Sequence, residues 1–247
     1  VGLSVEDVEG DTTPAKQRRD PPQAAGRPDS PSLALGYLRV GELTTAGGAS
    51  LLAWGLDFRE APADPDALLL PAVRMLLAVG GVGGYGVEPR ALLRFMSVLR
   101  DSYLPNPFHS FRHGLMVMHK AFLLATKSSL GRYASRLDLF ALLLAAVGHD
   151  VGHLGRTNAY EIAAESPLAV LYSNRSVLES HHCATLFRVL NEHGVLGGLS
   201  RAQRAHVRQL IIDAITTTDM LHHKTLHEKL KTLPTQLPAL AAAHRPA

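Results

Sequence analysis

His109 and His113 stand at a spacing that could support chemistry. On a helix, residues four apart lie on one face, with their side-chain bases roughly 6 Å apart. Both imidazoles could then reach one small site, where histidine serves as a metal ligand or a proton carrier. For any single pair of this kind, two solvated or core histidines are the commoner explanation.

A second cluster, His149-Asp150-Val151-Gly152-His153, follows the apolar run from Leu139 to Gly148. A charge at the end of such a run is costly unless it is paired or bound to a metal ion. Imidazole with carboxylate suits Zn, Mn or Fe, whereas carboxylate with water suits Mg. The two oxygens of one aspartate can bridge two ions. The alternative is a polar cluster that only ends a helix.

Glu179 lies close to two further histidines in Glu179-Ser180-His181-His182. A glutamate there could orient metal ligands or a water molecule. Taken alone, a solvent-facing helix turn explains this cluster better, so it gains weight only beside the other two.

Other reactive patterns are absent or incomplete. His227-Glu228 begins like a zinc-protease motif, but Lys231 stands where the second histidine belongs. Cys183, the one cysteine, is predicted to be a core residue and excludes an internal disulfide. No nucleophile elbow supports serine hydrolase chemistry.

Helices are predicted to position these residues, because apolar residues recur at spacings of three and four. Ser200 and Gln203 form a capping-box pattern, and Gly194 marks a helix stop. Pro71 is expected to kink or split a helix that starts at Asp64-Pro65. Sustained alternation of period two is missing, so the fold class is predicted to be all-α, a compact multi-helix domain. The main predicted helices span 88–104, 109–126, 135–149, 177–192 and 200–221.

Composition sets the outline of the chain. With 46% hydrophobic residues among 247, one main domain is expected at 49–233, after a disordered leader at 1–48 and before a frayed tail at 234–247. The longest apolar run is too short for a membrane-spanning helix, which needs about 18 residues. A net charge of +3 is too mild for nucleic-acid binding. The single cysteine favours an intracellular, cytoplasmic location.

The ordered motifs together resemble the catalytic domain of class I cyclic nucleotide phosphodiesterases, within the HD superfamily of metal phosphohydrolases. The resemblance covers about residues 50–230. Its matching pieces are 54–58, Tyr103 to His109 with His113, His149 to Asn158, Leu171 to His182, and Thr218 to His223.

The resemblance implies a role for each matching residue. His109 corresponds to the general acid, and the metal ligands correspond to His113, His149 and Asp150. The residues implied to support the second ion are His153 and Glu179, and those implied to contact the nucleotide are Phe108, Asn158 and Met220.

The implied reaction is hydrolysis of cAMP or cGMP to the 5′-nucleoside monophosphate by a hydroxide shared between two divalent ions. Zn is expected at the histidine-rich site and Mg or Mn at the second. The substrate is the expected partner, no nucleic acid or membrane segment is expected, and a homodimer is left open.

The resemblance stops before the segment that, in the family, holds a further metal-binding aspartate and the purine-binding glutamine and phenylalanine. The domain is therefore expected to be incomplete at its C-terminus. Two alternatives follow: a catalytically inactive form that acts as a regulatory or binding module, and another HD-type nucleotide phosphohydrolase.

Overall fold

The computed structural model describes residues 43–58, 65–79, 85–128 and 133–243, and the side chains among them as far as 234. These residues belong to a compact unit spanning Ser32–Ala247. Most of the predicted leader at 1–48, with Asp64, lies outside the described residues. Leu43 is fully buried and accepts a backbone hydrogen bond from Leu51 at 2.7 Å, so the packed structure includes residues before the predicted boundary at 49.

The described part of the chain is helical, as the all-α prediction requires. A 3-10 turn at Pro65–Leu68 leads into α1. The α-helices are α1 (Leu69–Ala78), α2 (Pro89–Asp101), α3 (Phe111–Lys127), α4 (Arg136–Gly148), α5 (Asn158–Ala163), α6 (Pro167–Leu171), α7 (Val177–Glu192), α8 (Arg201–Thr216) and α9 (His223–Ala243).

Side-chain caps begin the two helices that pack most extensively together, α4 and α8. Ser135 and Asp138 form a capping box at α4, which satisfies backbone N–H groups that would otherwise lack partners. The predicted capping box of Ser200 and Gln203 is confirmed at α8. The predicted stop after α7 is also confirmed, since Gly194 has a φ of +61° in the left-handed region that favours glycine.

The predicted helix at 200–221 is wrong in its last five residues. α8 ends at Thr216, and a separate 3-10 turn covers Met220–His222. The hydroxyls of Thr217 and Thr218 bond back to helix carbonyls, and Asp219 accepts a hydrogen bond from the backbone N–H of Leu221 at 3.0 Å. Side chains that satisfy the backbone locally in this way end helices.

Two predictions concern prolines. The helix expected from Asp64-Pro65 is divided just before Pro71, into the 3-10 turn at Pro65–Leu68 and α1. Pro71 is the third residue of α1, in the first turn, where no intrahelical N–H is needed. The expected frayed tail from Pro234 is helical as far as Ala243. Alanine and leucine, the strongest helix formers, dominate that segment.

α4 lies at the centre of the core, buried on nearly all sides and packed between α3 and α8. α7 packs against α8 and contacts α2 and α4. Among the described residues, no helix is both long enough and apolar enough to cross a membrane. Because α4 is buried on nearly all sides, the two residues that follow it, His149 and Asp150, lie in the interior.

Candidate active site

The end of α4 presents His149 and Asp150 through a tight turn. Val151 and His153 donate backbone hydrogen bonds to Gly148 and Asp150, both at 3.1 Å. Gly152 has a φ of +73°, and a β-carbon there would lie 2.9 Å from Nε2 of His181. Glycine is therefore required at this position, both by backbone conformation and by the approach of α7.

A close approach of α3 to α4 sets His113 opposite this turn. A β-carbon on Gly114 would lie 2.7 Å from the Tyr103 hydroxyl and 2.8 Å from the carbonyl of Val147. That hydroxyl donates to the same carbonyl at 2.7 Å. The two helices approach this closely because position 114 has no side chain.

His113, His149 and Asp150 converge into one cluster. Oδ2 of Asp150 lies 3.4 Å from Nε2 of His113 and 3.3 Å from Nε2 of His149. One ligand atom from each of the three lies within 4.8 Å of the others. Two imidazoles and a carboxylate are a donor set that suits Zn, Mn or Fe. The site thus fits a divalent ion by its own chemistry.

Hydrogen bonds to backbone carbonyls orient two of the imidazoles. Nδ1 of His149 donates to the carbonyl of Ala146 at 2.9 Å, so Nε2 is the nitrogen that faces the cluster. Nδ1 of His182 likewise donates to Val151 at 2.8 Å, and its Nε2 lies 4.0 Å from Oδ1 of Asp150. Such bonds fix the ring and the tautomer of a ligating histidine.

His182 is a site residue that sequence reasoning did not single out. It is 2% exposed, whereas the adjacent His181 is only half-buried, against Gly152. The sequence feature that could have identified His182 is its position three residues after Glu179, because residues three apart lie on one face of a helix.

The electrostatics of the cluster favour an ionised Asp150. Burial opposes the charged carboxylate, but the hydrogen bond and positive charge of His149 outweigh it and hold the pKa of Asp150 at about 2. Burial similarly opposes protonation of His149, and Asp150 outweighs it and raises the pKa of His149. Burial, aided by the charge of His149, lowers the pKa of His113. A negative carboxylate is therefore available between two imidazoles.

His109 lies in the turn before α3 and not on the helix, so the expectation that it shares a helix face with His113 is wrong. Ser110, which directly follows His109, is the N-cap residue of α3 and has an extended backbone, with φ −118° and ψ 167°. The two rings nevertheless lie only 6.4 Å apart. The tertiary structure, and not a shared helix face, brings the two rings together.

The His109 ring stacks on His153, with centroids 3.7 Å apart and planes inclined by 12°. Asn106 ties the two segments together, since its amide donates to the carbonyl of His153 at 2.6 Å and of His109 at 3.4 Å. Nδ1 of His153 accepts the N–H of Gly155 at 2.9 Å. Asn106 is thus a second residue whose part in the site only the structure reveals.

Asn158 and Glu179 are joined directly. The Asn158 amide donates to Oε2 of Glu179 at 2.9 Å, and its oxygen accepts the N–H of Leu178 at the same distance. Burial raises the pKa of Glu179, against the effect of the Asn158 hydrogen bond. In this arrangement Asn158 anchors α5 to α7 and orients Glu179.

Two of the three residues implied to contact the nucleotide, Phe108 and Met220, occupy exposed positions. Phe108 is 62% exposed, and its ring lies 4.5 Å from that of His113, centroid to centroid. Met220 is 74% exposed in the 3-10 turn.

Comparisons with known proteins point to one family. Residues 108–241 match the 3′5′-cyclic nucleotide phosphodiesterase family. The human high affinity cGMP-specific 3′,5′-cyclic phosphodiesterase 9A is 33% identical over 68% of this chain and 29% of its own length. A Drosophila melanogaster 3′,5′-cyclic-AMP phosphodiesterase is 36% identical over 60% of this chain and 14% of its own.

Solved structures show the same likeness. The phosphodiesterase domain of a Salpingoeca rosetta rhodopsin phosphodiesterase superposes with a TM-score of 0.71 at 31% identity, over 82% of this chain and 60% of that one. The present chain thus spans little more than half of the solved domain and under a third of the curated relatives it matches. On this sequence match and this fold, the chain belongs to the 3′5′-cyclic nucleotide phosphodiesterase family.

Proposed function

We propose that this chain carries the metal-binding and proton-donating residues of an enzyme that hydrolyses a 3′,5′-cyclic nucleotide, cAMP or cGMP, to the 5′-monophosphate. The observation that carries this proposal is the convergence of His113, His149 and Asp150, with ligand atoms within 4.8 Å of one another. His109 stands beside them, stacked on His153 at 3.7 Å.

Family membership implies divalent metal ions, and the donor chemistry suggests their distribution. His113, His149 and Asp150 would hold Zn. Oδ1 of Asp150, which lies 4.0 Å from His182, would serve Mg or Mn, with His153 and Glu179 supporting that ion through water. When bound, such ions neutralise the charge of a phosphodiester and make hydroxide available at neutral pH.

The remaining steps belong to side chains of this chain. His109, held by stacking and by Asn106, would donate a proton from a ring nitrogen to O3′ of the ribose as the P–O3′ bond breaks. Glu179, oriented by Asn158, would accept hydrogen bonds from water at the second ion. Phe108 and Met220 would contact the base, and both are exposed enough to meet a ligand from solvent.

The first experiment is hydrolysis of cAMP and cGMP by the full chain with Zn and either Mg or Mn, with calorimetric Zn binding in parallel. Asp150→Asn removes the shared carboxylate, so we expect loss of activity by roughly 10³-fold and weaker Zn binding. The matched control is Asp213→Asn, the same change on the exposed side of α8, which should alter neither.

Full activity and unchanged Zn affinity in Asp150→Asn would overturn the proposal. Zn binding that depends on Asp150, without hydrolysis by the parent chain, would favour the inactive regulatory module. Release of phosphate from other nucleotides, with cyclic nucleotides left intact, would favour another HD-type phosphohydrolase.

A further inference from the structure

One face of α8 forms a groove of arginines that the proposed reaction does not use. Arg201, Arg204, Ala205 and Arg208 line a cavity of about 300 Å³. Their spacing of three and four residues places all of them on one side of the helix. We propose that this groove binds a soluble phosphate-bearing anion, such as a phosphate ester or a pyrophosphate.

Two of the three guanidinium groups are held in place without a ligand. Nη2 of Arg204 donates to the carbonyl of Leu199 at 3.3 Å, and the guanidinium of Arg208 lies over the Phe187 ring, 4.4 Å from its centroid. Held side chains lose less conformational entropy when a ligand arrives. The groove is therefore organised in advance for binding.

The charge of the groove is not balanced locally. Its lining includes no carboxylate, and in the described residues none of the three arginines forms an ion pair. The α8 dipole adds partial positive charge near Arg201. Ser200 and Gln203 already cap the helix N-terminus, so recognition falls to the guanidinium groups. A polyvalent anion would relieve the repulsion among them.

Phosphate suits these arginines better than a single carboxylate does. Guanidinium presents a planar fork of donors that bonds phosphate oxygens in pairs, and phosphate offers oxygens to more than one fork. Ala205, the fourth lining residue, carries only a methyl group. The cavity volume lies at the small end of the range for ligand pockets, about 300–1,000 Å³. This size fits a small phosphate compound.

The test is calorimetric titration of the full chain with inorganic pyrophosphate, after EDTA treatment so that the histidine cluster holds no metal ion. Arg204→Gln should weaken binding at least tenfold. Arg201→Gln should weaken it severalfold without affecting folding, because Arg201 makes no side-chain hydrogen bond or ion pair among the described residues. Arg94→Gln, an equal charge change on the exposed side of α2, is the control and should leave binding unchanged.

The absence of saturable binding, or equal affinity in the groove variants and the parent, would overturn the proposal. Vesicles containing phosphatidic acid provide a second arm for the same phosphate chemistry. If the chain sediments with these vesicles through the same arginines but does not bind pyrophosphate, the soluble ligand is wrong. Pyrophosphate binding that is lost in Arg201→Gln and Arg204→Gln supports the proposal.

Discussion

Asp150 is the side chain on which the cluster depends. Its Oδ2 faces His113 and His149, and its Oδ1 faces His182 at 4.0 Å. Both the low pKa of about 2 and the position of the two oxygens keep it available as a bridging anion. Asp150 outweighs burial and raises the pKa of His149, whereas burial lowers the pKa of His113 and of His182.

His182 should make stability depend on pH. Burial lowers its pKa to about 3, below the 6.5 of an exposed histidine, so the unfolded chain binds the proton more readily. The stabilising contribution is complete above pH 6.5 and is lost as the pH falls toward 3. Between pH 7 and 5.5 the loss from this residue should be about 1 kcal/mol in free energy of unfolding.

Urea unfolding at both pH values, in EDTA, measures this contribution. His182→Gln should lose less stability than the parent on acidification, because glutamine does not titrate. His227→Gln, the same change at an exposed position on α9, should retain the parent's pH dependence. An identical pH dependence in His182→Gln and the parent would contradict the prediction.

At the scale of elements, contact between α3 and α4 determines the cluster of His113, His149 and Asp150. α3 carries His113, and α4 ends at His149. The two helices meet through Gly114 and the hydrogen bond from Tyr103 to Val147. α8 supports α4 from its other side, where Nε2 of His206 lies 2.6 Å from Oδ1 of Asp138.

Gly114→Ala should destabilise the fold by roughly 1–3 kcal/mol, although alanine favours helix, because its methyl group overlaps the backbone carbonyl of Val147. Zn affinity should fall as well, since the two helices are forced apart. Thermal unfolding and Zn titration measure the two effects. Gly148→Ala is the comparison: the three atoms nearest to its methyl group belong to the side chain of Leu186 and not to backbone, so its cost should be smaller.

Asp138→Asn should cost about 1–2 kcal/mol near pH 7, since it weakens both the capping box and the pair with His206. Burial opposes ionisation of Asp138, but hydrogen bonds from His206 and Ser135 outweigh it and lower its pKa. The contribution is therefore present above the ordinary pKa of 3.8 and lost as the pH falls below it. Unfolding curves of parent and variant should converge in acid; a constant difference would contradict this account.

At the scale of the whole molecule, apolar side chains lie exposed on α6 and on the 3-10 turn at Met220–His222. The exposed fractions are 70% for Val170, 66% for Leu171, 74% for Met220 and 82% for Leu221. Such clusters commonly mark association surfaces. The homodimer stays a prediction, and this is the face on which to test it.

Leu221→Ser should lower both the weight-average mass in sedimentation and the binding of an apolar dye, because it removes the most exposed of these side chains. Leu93→Ser, at a 47% exposed position on α2, is the control and should change neither. Equal association in Leu221→Ser and the parent would exclude this surface as the contact.

The sequence by itself determined the helical class, the caps of α8 and the identity of the cluster residues. Apolar periodicity and capping residues act over one or two turns, so they can be recognised locally. The apolar run before His149-Asp150 likewise predicts that these polar groups lie in the interior. The motif pattern then predicted the family, which the comparisons confirm.

Only the tertiary structure decided which histidines meet and how. His109 reaches the site from a turn, through stacking on His153, and His182 enters from a third helix because α7 packs beside the end of α4. These outcomes depend on contacts between residues distant in sequence, which local spacing does not specify.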